Sequence, residues 1–155
     1  MIVEAEHSEI NFLSQVYAEL KDLEYRYPHF RSWFYDQVVP GLESGNRRII
    51  TIQESSEIQA ILILKNSSEK KICTLRVAEK CRNSGLGTLL IDFARQELGT
   101  DYPLITVSGG HIGEFAPLFK KFDFRFKSRY LNYYTRNSVE YCFNGDLLVK
   151  NYCAK

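Results

Sequence analysis

A bias of charge, long apolar runs and paired cysteines are all missing from this 155-residue sequence, and each absence removes a class of function. Lysine and arginine total 20 against 19 acidic residues, a formal net charge of +1, so no global field favours a nucleic-acid backbone or an anionic membrane surface. No apolar stretch approaches the ~20 residues that cross a bilayer, and the amino terminus is acidic where a secretory leader would be basic and then apolar. A soluble, cytoplasmic protein is expected. Cys73, Cys81, Cys142 and Cys153 lie far apart, with no C-x-x-C pair and no histidine at ligand spacing, so neither a zinc site nor a disulfide framework is expected. Repeats, linkers and low-complexity segments are also lacking. The length suits one domain, 1–155, and 45% hydrophobic with 25% charged residues is ordinary for a globular chain.

What is present is organised around Lys71 to Leu98, which reads as strand, tight turn and helix. From Ile72 to Ala78 the side chains alternate, with Cys73, Leu75 and Val77 expected on one face and Ile72, Thr74, Arg76 and Ala78 on the other. Leu86, Leu89, Leu90, Phe93, Ala94 and Leu98 then recur at helical spacing. Between them runs Arg82-Asn83-Ser84-Gly85-Leu86-Gly87. Glycines there permit a sharp turn and a close approach to a ligand, and the first amides of a helix lack internal partners and carry its positive end. Such a turn is either a tight connection alone or a phosphate cradle. A Walker loop is excluded, because no Lys-Ser or Lys-Thr follows the second glycine, and the third glycine position of a dinucleotide fingerprint holds Leu90.

The run Val77-Ala78-Glu79-Lys80-Cys81-Arg82-Asn83-Ser84-Gly85-Leu86-Gly87 resembles the acetyl-coenzyme A signature of the Gcn5-related N-acetyltransferase (GNAT) superfamily, in which Arg/Gln-x-x-Gly-x-Gly/Ala follows the fourth strand. Glu79 stands where many members carry proline. The resemblance implies a single-domain α/β (α+β) fold with a mixed, mostly antiparallel sheet, whose parallel fourth and fifth strands splay apart at a coenzyme A cleft. It further implies acetyl-CoA as the donor and direct acetyl transfer to a primary amine of a small molecule or a protein. By the same resemblance, backbone groups of Leu75, Arg76 and Val77 would hold pantetheine, and amides from Arg82 through Asn83, Ser84, Gly85, Leu86 and Gly87 to Thr88 would hold the pyrophosphate.

The rest of the chain reads in the same order. Met1 to Ala5 suits a first strand. Ser8 suits an N-cap for a helix carrying Ile10, Leu13, Val16, Tyr17, Leu20 and Leu23. A second helix after Pro28 would present Phe30, Trp33, Phe34 and Val38 and end at Pro40-Gly41 or Gly45-Asn46. Arg47 to Gln53 and Ile58 to Lys65 form a hairpin, with the second run apolar on both faces and therefore central. Leu104 to Val107 is a buried parallel strand. A short helix carrying Ile112, Phe115, Ala116, Phe119 and Phe122 follows, with Pro117 best placed near its first turn. Phe124 to Thr135 and Ser138 to Phe143 close the chain as a hairpin turned at Arg136-Asn137.

The chemistry needs a neutral amine, a donor to the carbonyl oxygen and a proton for the leaving thiolate. Many relatives supply that proton from a tyrosine in a Leu-Tyr pair before Gly-Phe, where this chain has Leu118-Phe119 before Asp123-Phe124, and phenylalanine cannot donate. Candidates for the acid are Tyr133, Tyr134 and Tyr141, or a water. His111 and Glu79 are candidates for the base, each with the alternative of a solvated loop residue. The aromatic segment around Tyr25, Tyr27, Phe30 and Trp33 is either core or an acceptor pocket. The departure at Phe119 keeps a second function open, a catalytically weak coenzyme A-binding or protein-interaction module. A homodimer is compatible with the sequence.

Overall fold

The structure is a computed structural model, and it describes residues 2–4 and 9–147. Seven strands form one sheet: β1 (Ile2–Glu4), β2 (Arg47–Glu54), β3 (Glu57–Asn66), β4 (Lys70–Val77), β5 (Leu104–Ser108), β6 (Phe126–Leu131) and β7 (Val139–Phe143), in the spatial order β1-β2-β3-β4-β5-β7-β6. Every neighbouring pair is antiparallel except β4–β5. On one face lie α1 (Ile10–Leu20), a 3₁₀ turn (Lys21–Tyr25), α2 (Phe30–Trp33) and α3 (Val39–Ser44); on the other lie α4 (Leu86–Leu98) and α5 (Ile112–Lys121).

β3 is central, as its two-sided apolarity requires. Ile61 and Ile63 meet the α1–α2 layer, while Ala60, Leu62 and Leu64 meet α4. In α1 the buried residues are Leu13, Val16, Tyr17 and Leu20, but Ile10 is 75% exposed. The expected cap at Ser8 lies outside the described residues, as do the ends of the expected first strand, Met1 and Ala5, and Cys153. In α4 the buried stripe is Leu90, Ile91, Ala94 and Leu98. Leu89 is 45% exposed, so the stripe is rotated from the expected one and takes in Ile91.

Three expectations are refined, two of them by correction. First, β4 does not alternate cleanly. Ile63 opposes Thr74 and Leu64 opposes Ile72, which leaves Cys73 as a bulge. Ile72 therefore shares the α4 face with Leu75 and Val77, while Cys73 packs in the opposite layer with Arg47 Nη1 at 3.3 Å from its sulfur. Second, of the two expected ends of the helix after Pro28 the later one holds: the helix runs to Ser44 through a π stretch at Phe34–Val38 and ends at Gly45, whose φ of 85° is left-handed, and not at Pro40-Gly41. Pro40 has no N–H to give Asp36 and its ring crowds that carbonyl, so the wide turn just before it accommodates the proline inside the helix. Third, the closing hairpin turns earlier than expected. Tyr133 and Tyr134 lie in the loop between β6 and β7, not in a strand, and Asn132 and Asn137, both left-handed, frame that loop. Pro117 also lies deeper in its helix than its missing donor favours, at the sixth residue of α5.

Candidate active site

The sheet opens where β4 and β5 part. The two strands pair at only two positions, Lys71 opposite Leu104 and Ile72 opposite Ile105, although β4 continues to Val77 and β5 to Ser108. Beyond those rungs the inner edges of Thr74–Val77 and Thr106–Ser108 face a cavity of about 880 Å³. The bulge at Cys73 bends the strand at the point of divergence, so the local irregularity and the opening are one feature.

One end of the cavity is the cradle. Leu75, Arg76, Val77, Arg82, Asn83, Gly85, Leu86, Gly87 and Thr88 all line it, nine of the ten residues expected to hold the donor. Ser84 does not line it; its hydroxyl turns back to donate to the Cys81 carbonyl. The turn depends on two left-handed residues, Asn83 at φ 60° and Gly85 at φ 89°. The first bond of α4 is Leu89 N–H to Gly85 O at 3.0 Å, so the amides before Leu89 precede the helical ladder and point out of its positive end. Nothing lies within 4 Å of a β-carbon built on Gly85, so the space in front of the turn is open. A β-carbon on Gly87 would sit 3.3 Å from Leu118 Cδ2, so that glycine serves the packing of α4 on α5. Lys121, 3.4 Å from the Thr88 hydroxyl, and Arg82 add positive charge to the rim. Open amides, a helix end and two cations fit a pyrophosphate.

The other end is walled by the segment after α1. Arg76 forks onto Asp22, with Nη1 to Oδ1 and Nη2 to Oδ2 both 2.9 Å, which ties the 3₁₀ turn to β4 and holds the Asp22 carboxyl below its ordinary range. Of the aromatic segment, Tyr27 and Phe30 line the cavity. Trp33 is core, 4% exposed with the Arg47 guanidinium over its ring, and Tyr25 is 93% exposed and off the cavity. Tyr27 donates to Glu140 Oε1 at 3.2 Å, and burial together with that carboxylate pushes its hydroxyl well above the ordinary tyrosine range.

His111 lies at the mouth, in a 3₁₀ turn (Gly109–His111) between β5 and α5. Its Nδ1 is 3.2 Å from Ser108 Oγ and its Nε2 is 2.9 Å from Arg26 Nη2. Glu79 also lines the cavity, from the exposed turn after β4. The three proposed tyrosine acids do not line it. Tyr134 folds over the α1 face against Tyr27 and Lys71 Nζ, which is 3.3 Å from its hydroxyl, and burial raises its pKa first, with Glu140 adding to the rise. Tyr133 packs on Tyr134 and Tyr130. Tyr141 packs on Phe126 and lies beside Gly109 of the 3₁₀ turn after β5. Phe119 is buried among Phe115, Phe124 and Phe143, and Asp123 behind it is left-handed at φ 56°, the conformation that a glycine adopts without cost. The sequence alone assigns no role to Arg26, Ser108 or Asp22. Each gains one only through a partner distant in the chain or through the turn that ends β5, and no spacing rule encodes a contact such as Arg26 with His111. Among the described residues no cluster of side chains suits a metal ion, and no helix is long and apolar enough to cross a membrane.

This arrangement, a sheet split between parallel fourth and fifth strands with a glycine turn and helix at the split, is the fold of the GNAT acetyltransferases. An aminoglycoside 6'-N-acetyltransferase complexed with coenzyme A superposes with a TM-score of 0.66 at 13% identity, covering 92% of this chain and 94% of that one. The IAA acetyltransferase from Bacillus cereus gives 0.63 at 15% identity, covering 92% and 97%. A GNAT family acetyltransferase from Elizabethkingia anophelis with acetyl-CoA bound gives 0.55 at 17% identity, covering 71% and 79%. No family model and no curated protein matches the sequence.

Proposed function

We propose that the protein is an acetyl-CoA-dependent N-acetyltransferase that moves an acetyl group directly to a primary amine. The observation that carries this reading is the continuity of the cradle. The inner edge of β4, unpaired beyond Ile72, runs into the open amides of the Arg82–Thr88 turn along one wall of a single cavity. Structures of the same fold hold acetyl-CoA or coenzyme A, which supports the choice of donor.

The roles follow from position. The turn amides, Arg82 and Lys121 bind the pyrophosphate, and Leu75, Arg76 and Val77 offer backbone groups to the pantetheine arm and the carbonyl oxygen. The bound donor supplies a thioester, an acyl carbon open to attack. His111 is the leading proton acceptor and Glu79 the second, since both line the cavity. Tyr27 holds the wall through Glu140 and stays protonated. The acceptor wall opposite the cradle, with Phe30, Tyr27 and the Asp22–Arg76 pair, sets which amine fits.

A second reading is favoured by one observation. Phe119 is apolar and buried where resembling enzymes carry a proton donor, which suits a module that binds coenzyme A with little turnover. The deciding experiment follows thiol release from acetyl-CoA over a panel of amines, alongside calorimetric titration with coenzyme A. Binding with amine-dependent thiol release is expected. Binding without release for any amine establishes the second reading, and no binding overturns both.

A further inference from the structure

We propose that Arg26 selects acceptors that carry a carboxylate beside the reacting amine, as α-amino acids do, and that this contact frees His111 Nε2 to take the amine's proton. The inference rests on the acetyl-transfer reading above and goes on to the acceptor class.

Arg26 is held in place by its backbone and its neighbour, not by its charge. The Thr135 hydroxyl donates to the Arg26 carbonyl, and Tyr27 next to it donates to Glu140 of β7, so the segment is tied down at both residues. The guanidinium then reaches His111. A guanidinium can only donate, so His111 Nε2 is the acceptor in the 2.9 Å contact, and the imidazole proton sits on Nδ1, directed at Ser108 Oγ. Both ring nitrogens are engaged. While Arg26 covers Nε2, His111 has no free lone pair with which to receive a proton.

Arg26 itself is poorly matched. One of its five donors meets a neutral ring, and among the described residues no carboxylate is in ion-pair contact with it; Asp22 feels its charge but is held in the fork of Arg76. Arg76, on the same side of the cavity, shows the contrast, since Asp22 fills its fork. A planar carboxylate fills such a fork with two parallel charge-assisted bonds, which a single imidazole nitrogen cannot do. An incoming carboxylate therefore outcompetes His111 for the guanidinium. Because the two nitrogens are 2.9 Å apart, groups that meet them together must be neighbours on the acceptor, which points to an α-amino acid and away from a long ω-amino acid. Glu79 and Glu114 line the cavity without an ion-pair partner among the described residues and attract the ammonium end of such a zwitterion.

The step then balances. The acceptor's ammonium gives one proton to His111 Nε2, leaving an imidazolium whose Nδ1–H still faces Ser108 Oγ. The freed lone pair forms the N–C bond to the acyl carbon as the C–S bond breaks. A second proton from the nitrogen ends on the leaving sulfur as the thiol, and the proton on His111 returns to solvent.

The test compares α-amino acids with their carboxamides and their aminophosphonate analogues, in the wild type, Arg26→Lys and Arg26→Ala. Nitrogen NMR of the His111 ring on adding the amino acid alone needs no acetyl donor. The expected result is a KM lower for the amino acid than for its amide by on the order of tenfold in the wild type. That gap should close in Arg26→Ala and be partly kept in Arg26→Lys, and kcat for the amide should rise in Arg26→Ala, where no guanidinium covers His111 Nε2. The His111 Nε2 resonance should move on adding the amino acid and not the amide. If coenzyme A still binds but amide and acid are used alike, or if the His111 signal moves equally with both, the Arg26 proposal is overturned and acetyl transfer stands. Tighter use of the phosphonate overturns the carboxylate assignment. Loss of coenzyme A binding in the wild type overturns the underlying reading instead. Should Arg26→Ala fail to fold, the wild-type acid and amide comparison and the NMR titration still decide.

Discussion

Gly85→Val is expected to weaken coenzyme A binding by on the order of tenfold while the protein keeps its fold. Gly85 has φ 89° and ψ 0°, a left-handed conformation that costs a residue with a β-carbon ~1–2 kcal/mol and a β-branched one more. The penalty comes from torsion, because no atom lies within 4 Å of where the β-carbon would be. The loop relieves it by turning Gly85 toward ordinary φ, and that rotation carries the amides of Leu86 and Gly87 away from the cavity. Half of the left-handed pair that shapes the turn is then lost, with Asn83 left at φ 60°. Gly87→Ala perturbs something else, the 3.3 Å approach to Leu118, and reads out in the packing of α5. Titration calorimetry on folded Gly85→Val checks the point, and an unchanged affinity would move the cradle elsewhere.

Phe34→Ala should destabilise the protein by about 3–5 kcal/mol, a large share of the ~5–15 kcal/mol that holds a typical domain. Its ring is fully buried and meets Tyr17 at 5.4 Å and Tyr35 at 5.0 Å between centroids, inside the layer that also holds Val16, Leu20, Ile49 and Ile63. The cavity left behind lies in the π stretch, where the backbone is already spread and cannot close inward without displacing Pro40. A fall in melting temperature on the order of 10 °C is expected for a chain of this length. Tyr25→Ala, in the same aromatic segment but 93% exposed, should change it hardly at all. Thermal unfolding of the two variants side by side separates core aromatics from surface ones, and equal shifts would contradict the packing described.

What could be read in the sequence was whatever a short window determines. The two-sided run Ile61 to Leu64 marked a central strand, and Leu90, Ala94 and Leu98 marked a helix face. Arg82 to Gly87 marked the turn between strand and helix. Cys73 escaped because a bulge is a property of two strands, decided by how β3 pairs with β4 and invisible in either alone. Pro40 left two helix ends open because a helix interior normally rejects proline, and only the π stretch before it makes room. Tyr133 and Tyr134 looked like strand residues because tyrosine favours strands, yet the hairpin turned at Asn132, where tertiary contacts with Tyr27 and Lys71 outweighed propensity. The cradle was thus accessible to local reasoning and the acceptor wall was not, since the latter is assembled from the segment after α1, α2 and β4, tied to β7 and the β6–β7 loop.

The two rungs between β4 and β5 also have a mechanical meaning. Strands β1 to β4 form one plate and β5, β7 and β6 another, and among the described residues only the pairs Lys71–Leu104 and Ile72–Ile105 join them by ladder bonds. A seam so short acts as a pivot, and breathing about it should be the softest collective motion of the molecule. Amides on the inner margins, Thr74 to Val77, should then trade their hydrogens with solvent faster than those of β2 and β3. A molecule lying in the cleft stitches the plates together along their whole length. Hydrogen exchange followed by mass spectrometry should therefore slow at the pivot as well as at the contact surface when coenzyme A is added, and slowing confined to the turn at Arg82 to Thr88 would mean that the plates were already locked.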